Sequence, residues 1–190
     1  MGLMDLTVFE MLQGGLSFIY VLICTILGLK ITSKYFEFKR RELLMVGFVM
    51  IFMGSGWWGT TISFIAFVLF DSTIESTTYF LFNYGFLALV LICWIYAFCH
   101  LVYPHLKRQL VTITSIICIL WEIFFIYFLF ENPNIIGNRV GKFDIEAGLY
   151  VTLYIASILA VIFITIFKVF IQCQKSEMPK IQWEGRFLLI

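Results

Sequence analysis

Long apolar runs, broken by short polar clusters, set the organisation of this chain. Five runs reach the ~20 mostly apolar residues that a helix needs to cross ~30 Å of hydrocarbon. They lie at Met11–Leu29, Leu43–Leu69, Thr77–Tyr103, Leu110–Phe130 and Ala147–Phe170, and together take up 118 of the 190 residues. The second and third exceed the minimum, so tilt or protrusion is expected of them. Membrane β-strands would instead alternate over ~10-residue segments. The run Ser115–Phe130 is continuously apolar apart from Glu122. Helices satisfy their backbone internally, as hydrocarbon demands. The expected fold is therefore an all-α, polytopic transmembrane bundle, with residues 1–190 forming a single transmembrane domain.

Composition agrees with the pattern. The chain is 62% apolar and 13% charged, against ~45–50% and ~25% in soluble domains. A net charge of +1 leaves no basic footprint for nucleic acid. Little remains for any soluble domain.

The loops carry an asymmetric charge. Eleven of the thirteen basic residues fall on one side, in the segments beginning at Lys30, Lys107 and Lys168. The other side has only Arg139 and Lys142, with Asp5, Glu10, Asp71, Glu75, Glu131, Asp144 and Glu146. Lys and Arg mark the cytoplasmic face. The expectation is a plasma-membrane protein with its N-terminus outside and residue 190 at the cytoplasmic face. Trp183, Tyr35, Tyr103 and Tyr79 fall near the interfaces, where amphipathic rings are favoured. The amino end has no basic n-region, so span 1 is not read as a cleaved signal. Leu6 stands where myristoylation wants Ser or Thr.

Motif readings favour packing over chemistry. Gly54-Ser55-Gly56-Trp57-Trp58-Gly59 spells G-x-G-x-x-G. The dinucleotide fingerprint needs a strand before it and a helix after it, whereas this one lies inside an apolar span. Gly47, Ser55, Gly59 and Ser63 share one helical face, and Gly148, Thr152, Ala156 and Ala160 repeat the pattern on span 5. Small residues spaced by four let helix backbones approach closely. Spans 2 and 5 are thus expected to pack tightly, with a local kink at Gly54–Gly59.

Glu122 is the acidic residue well inside a span, about 12 Å deep at 1.5 Å per residue. An intramembrane carboxyl is a functional candidate by default; the alternative is a neutral Glu bonded to a neighbouring helix. Ser115, Cys118 and Glu122 share a face, which should point into the bundle. Asn83 sits about 9 Å inside span 3 by the same rise. Gln13, Ser17, Tyr20, Thr60, Thr61, Ser63, Tyr84, Tyr127, Tyr150, Thr152 and Tyr154 lie at similar depth in the outer half. These residues outline a polar pocket open to the outside. Its expected members are Glu122, Asn83, Ser63, Thr60, Tyr84 and Tyr154, with Trp57 and Trp58 as a floor or facing lipid. Ser, Thr and Tyr also serve as plain interhelical glue. The loop Glu131–Glu146 has turn residues at Asn132-Pro133-Asn134, Gly137 and Gly141 and is long enough to lid such a pocket.

His100 and His105 flank Pro104 at an interface and do not supply two in-membrane haem ligands. The five cysteines include no C-x-x-C pair, and Cys173 could take a lipid. No metal or cofactor is expected.

The chain ends on Gly185-Arg186-Phe187-Leu188-Leu189-Ile190. Chain ends are normally polar, so Arg186 onward reads as the first turn of a sixth span in a longer protein. The rival reading is a short apolar tail lying on the membrane. The segment Lys180-Ile-Gln-Trp-Glu-Gly-Arg-Phe-Leu-Leu-Ile190 resembles the lead-in to a later span in uncharacterised archaeal seven-helix proteins. Their layout is similar to the amino-terminal seven-helix sensor region of some histidine kinases. The resemblance covers layout and about eleven residues, and it implies two more spans and a cytoplasmic output domain. It carries no ligand-binding or catalytic residue.

Three functional classes follow. A sensor or receptor-like module fits an outer pocket with a plainer inner half. A solute or ion transporter would want broken helices and polar residues through the full depth, and no internal repeat favours it. A membrane enzyme would need a nucleophile or metal cluster, which Glu122 alone does not make. The expected partners are the bilayer and a small molecule from the outer face, with homo-oligomerisation left open.

Overall fold

The computed structural model describes residues 6–174. The unfinished ending, the resemblance at 180–190 and Trp183 lie outside the described residues. Among the described residues seven α-helices form five apolar rods, each long enough to span a bilayer: Val8–Phe38, Arg41–Phe70, Ser76–Val102, Lys107–Glu131 and Leu149–Gln172. This is an all-α, multi-pass membrane bundle.

Helix α1 (Val8–Phe38) starts on a capping box. Glu10 N donates to Thr7 Oγ1 at 3.2 Å and Thr7 N donates to Glu10 Oε2 at 2.9 Å. Two orphan amides are thereby satisfied where the backbone enters an apolar medium. At its other end α1 runs nine residues beyond the expected Leu29. Those residues pair with α2 (Arg41–Met53) rather than with the core of the bundle. A Cβ on Gly47 would strike Thr32 Oγ1 and lie 2.8 Å from Gly28 O, so the two backbones touch there. Hydropathy misses this extension because Lys30, Ser33 and Lys34 face out of the contact.

The second rod is kinked where the glycines cluster. A 3-10 turn over Gly54–Trp57 separates α2 from α3 (Trp58–Phe70). The third rod is broken as well, between α4 (Ser76–Tyr84) and α5 (Leu87–Val102), at Gly85 and Phe86. Sequence analysis did not anticipate this second break. Helices α6 (Lys107–Glu131) and α7 (Leu149–Gln174) are continuous.

Between α6 and α7 the chain makes a 3-10 turn (Pro133–Ile135) and an antiparallel hairpin. Its strands β1 (Gly137–Arg139) and β2 (Ile145–Ala147) pair Asn138 with Glu146. The hairpin, the start of α1 and the α3–α4 connection lie at one end of the bundle. Gln13 bonds to the hairpin, and Arg139 reaches Ile74 O. The opposite, basic end gathers the α1–α2 and α5–α6 connections, where His100 Nε2 contacts Glu42 Oε1.

Three apolar clusters among the described residues hold the rods together, the smallest joining Val49 of α2 to Val90 and Cys93 of α5. At the basic half, Leu91, Ile95, Phe98 and Cys99 of α5 pack on Cys118 of α6 and Ile158 of α7. At the hairpin half, Tyr79, Phe80 and Tyr84 pack on Phe125, Leu129, Ile136 and Val151. Outward faces stay apolar: Ile116, Ile119, Ile123 and Phe124 on α6 and Phe163 and Ile164 on α7 are exposed. In water such faces would be a liability; against hydrocarbon they cost nothing.

Candidate functional site

The two helix breaks sit beside each other, and Asn83 ties them. Its side-chain Oδ1, buried, accepts from the backbone N–H of Gly59 at 2.9 Å. A Cβ at position 59 would come within 2.7 Å of Tyr79 O and 2.8 Å of Asn83 Oδ1. Glycine there is what permits α3 and α4 to approach. One turn away, Tyr79 Oη donates to Phe143 O of the hairpin at 3.0 Å and meets Thr60 Oγ1 at 2.5 Å. Thr60, Tyr79 and Asn83 thus tie α3, α4 and the hairpin together, as an apolar surround favours, while Thr61 Oγ1 of α3 is buried without a partner.

Arg139 fastens the hairpin. Its guanidinium donates to Ile74 O at 2.5 Å, to Ser63 Oγ at 3.0 Å and to Lys142 O, and Nε donates to Gly141 O at 3.2 Å. Its Cζ also lies 5.3 Å from the centre of the Tyr79 ring. Burial pushes this guanidinium down from its ordinary value, but arginine keeps its charge at any physiological pH. Phe143 is plugged beneath, edge-on to Phe64 and Phe67.

Under the hairpin lies a cavity of about 450 Å³, within the ~300–1,000 Å³ range of small-molecule sites. Its polar wall comes from Gln13 and Ser17 of α1, Thr60 of α3, Asn83 of α4 and Asp144 of the hairpin. Its apolar wall is Leu87 and Val90 of α5 and Ile155, Ile158 and Ile162 of α7. Tyr20, Trp57, Tyr79 and Tyr84 add aromatic faces. Met53, Gly56 and Leu87 place both helix breaks on its border. Beyond it toward the basic end, Trp94 Nε1 of α5 donates to Thr165 Oγ1 of α7 at 2.7 Å and joins those two rods.

The expected pocket residues divide into two groups. Thr60, Asn83 and Tyr84 line the cavity, as do Gln13, Ser17, Tyr20 and Trp57. Ser63 sits above it, bonded to Arg139. Glu122 and Tyr154 do not line it. Tyr154 is stacked on Trp121 with centroids 3.8 Å apart and donates to Cys118 Sγ at 3.6 Å. Glu122 faces the other side of the α4–α5 break, where a Cβ on Gly85 would lie 3.7 Å from its Oε1, and its buried Oε2 has no hydrogen-bond partner. Trp58 packs on Phe52 and Phe86.

The small-residue faces divide similarly. Gly47 and Gly59 mark close approaches, to α1 and α4, and Ser55 is fully buried. On α7, Gly148 abuts Ile135, whereas Thr152, Ala156 and Ala160 are exposed. The buried face of α7 is made by Val151, Tyr154, Ile158 and Thr165 instead. Ring stacking on Trp121 sets its rotation, not small-residue packing.

Sequence reading missed Arg139, Phe143 and Asp144, which entered it only as loop residues or as charges. Phe143, an aromatic amid polar loop residues, was the available signal. Among the described residues no group of three His, Cys, Asp or Glu is placed to hold a metal. No protein-family model, curated protein or solved structure matches the chain.

Proposed function

We propose that this protein is a sensor or receptor-like membrane module that takes a small molecule into the cavity beneath the hairpin. The hairpin end is read as the outer face of the plasma membrane, because the basic connections cluster at the opposite end. The observation that carries the reading is the cavity beneath the hairpin. It has a polar wall and a roof at the hairpin end, and side chains fill the bundle at the basic end. A polar cavity at one end of a bundle whose other half is packed suits detection more than passage. The layout that resembles kinase sensor regions points the same way.

A transporter is the second reading, and one observation favours it. Two discontinuous helices border the cavity, which is how many transporters build a substrate site.

Gly56→Cys separates the two. A Cβ there meets nothing within 4 Å, and the residue lines the cavity. In a Cys173→Ser background, a membrane-impermeant maleimide is expected to label this cysteine from the hairpin side alone. Labelling from both faces would establish a conduit. Labelling from neither, in folded protein, would remove the pocket.

A further inference from the structure

We infer that the cavity is built for an organic cation, an ammonium group carried on an apolar or aromatic body. This rests on the reading of the cavity as a ligand site and adds the chemistry of the ligand. The first observation is the lining itself: among the described residues Asp144 is its one carboxylic acid, and no Lys, Arg or His belongs to it. The second is how the hairpin sorts its charges. Neither Arg139 nor Lys142 lines the cavity: Arg139 donates to Ile74 O and Ser63 Oγ, and Lys142 Nζ lies 4.7 Å from the centre of the Phe67 ring. Asp144, exposed, lines the cavity. There its Oδ1 accepts from Ile145 N at 3.0 Å and Gln13 Nε2 at 3.3 Å. Those two donors hold one oxygen and orient the carboxylate. The third is the aromatic wall of Tyr20, Trp57 and Tyr84. Such rings attract a cation by their faces and accept an apolar body equally well. Arg139 already stands over the Tyr79 ring, so the ammonium is assigned to Asp144 and not to Tyr79. An anionic ligand would meet the Asp144 carboxylate with no basic side chain in the lining to offset it.

Three probes of matched shape test this: 4-phenylbutylamine, 4-phenylbutanol and 4-phenylbutyrate. Each is titrated calorimetrically into the protein in phosphatidylcholine nanodiscs, so that no net lipid charge concentrates the amine. The amine is expected to bind about tenfold tighter than the alcohol, the increment of one charge-assisted hydrogen bond, and the carboxylate weakest. Asp144→Asn should bring amine and alcohol together, and Asp144→Glu should keep them apart; both variants are checked for unchanged thermal unfolding. Equal binding of all three, or tightest binding of the carboxylate, overturns the cation inference and leaves the pocket standing. If none binds and the position-56 cysteine is also unlabelled, pocket and inference fall together. If none binds while that cysteine is labelled, the inference alone falls.

Discussion

A carboxyl oxygen buried without a partner has a definite cost, and Glu122 is where this bundle bears it. The unsatisfied Oε2 lies beside the α4–α5 break. Leaving such a group unpaired costs about 1–3 kcal/mol, and an apolar side chain of similar size removes the penalty. Glu122→Leu is therefore expected to stabilise the fold by about 1 kcal/mol, read as a higher unfolding midpoint in detergent. A lower midpoint would show that the carboxyl has a partner in the membrane that the fold itself does not provide. Asn83 and Gly59 are the opposite case, a polar pair that is fully used. Asn83→Ala strands the buried Gly59 N–H and should cost about 1–2 kcal/mol. Gly59→Ala forces a Cβ into Tyr79 O at 2.7 Å, and overpacking against backbone should cost about 1–3 kcal/mol. If Gly59→Ala is silent in thermal unfolding, the two breaks are not locked together as described.

At the scale of elements, Arg139 makes more of the hairpin's hydrogen bonds than any other side chain. Arg139 joins the hairpin to the α3–α4 connection and to Ser63 through the neutral acceptors already described. Arg139→Met removes those bonds and leaves Ile74 O and Ser63 Oγ with a donor fewer. Hydrogen exchange in the 137–147 hairpin should accelerate, while α5 and α6, held by the basic-half core, keep their protection. Lys at 139 should fail to restore it, since one ammonium cannot reproduce a forked guanidinium. Equal acceleration throughout would mean that the hairpin and the bundle unfold as one unit. The elements also differ in how far the sequence revealed them. The five rods were legible because their apolar runs are long and local, and so was the kink at Gly54–Gly59, where three glycines and a serine weaken one turn. The break at Gly85 was not legible: a single glycine inside an apolar helix is usually tolerated, and this one became a break through its packing. Nor was the division between Asn83 and Glu122, which lie at similar depth. Depth follows from residue number alone, but which side of α4 each group faces depends on the rotation of α6 and α7. That rotation is set by Tyr150 and Tyr154 stacking on Trp121.

At the scale of the whole molecule, the charges and the pocket give linked predictions about orientation. Gln13 and Arg139 bring the start of α1, the α3–α4 connection and the hairpin to one end, while Glu42 and His100 bring the α1–α2 and α5–α6 connections to the other. Lys39, Arg40, Arg41, Lys107 and Arg108 all lie at this second end. Short basic loops resist translocation, so the basic end is expected in the cytoplasm and the cavity mouth outside. Cysteines at Gly141 and at His105 test this. Both positions are exposed, and the Cβ at 141 meets nothing closer than Asp144 Cβ at 3.5 Å. With Cys173 replaced by Ser, an impermeant maleimide applied to intact cells should label position 141 at once and position 105 only after permeabilisation. Replacing Lys39, Arg40 and Arg41 with Gln should then give a mixed population, with both positions partly labelled, because three of the five basic residues between spans 1 and 2 have been removed. The reverse pattern in the parent protein would place the pocket on the cytoplasmic side. The site would then draw its ligand from inside the cell, its geometry unchanged and its role reversed.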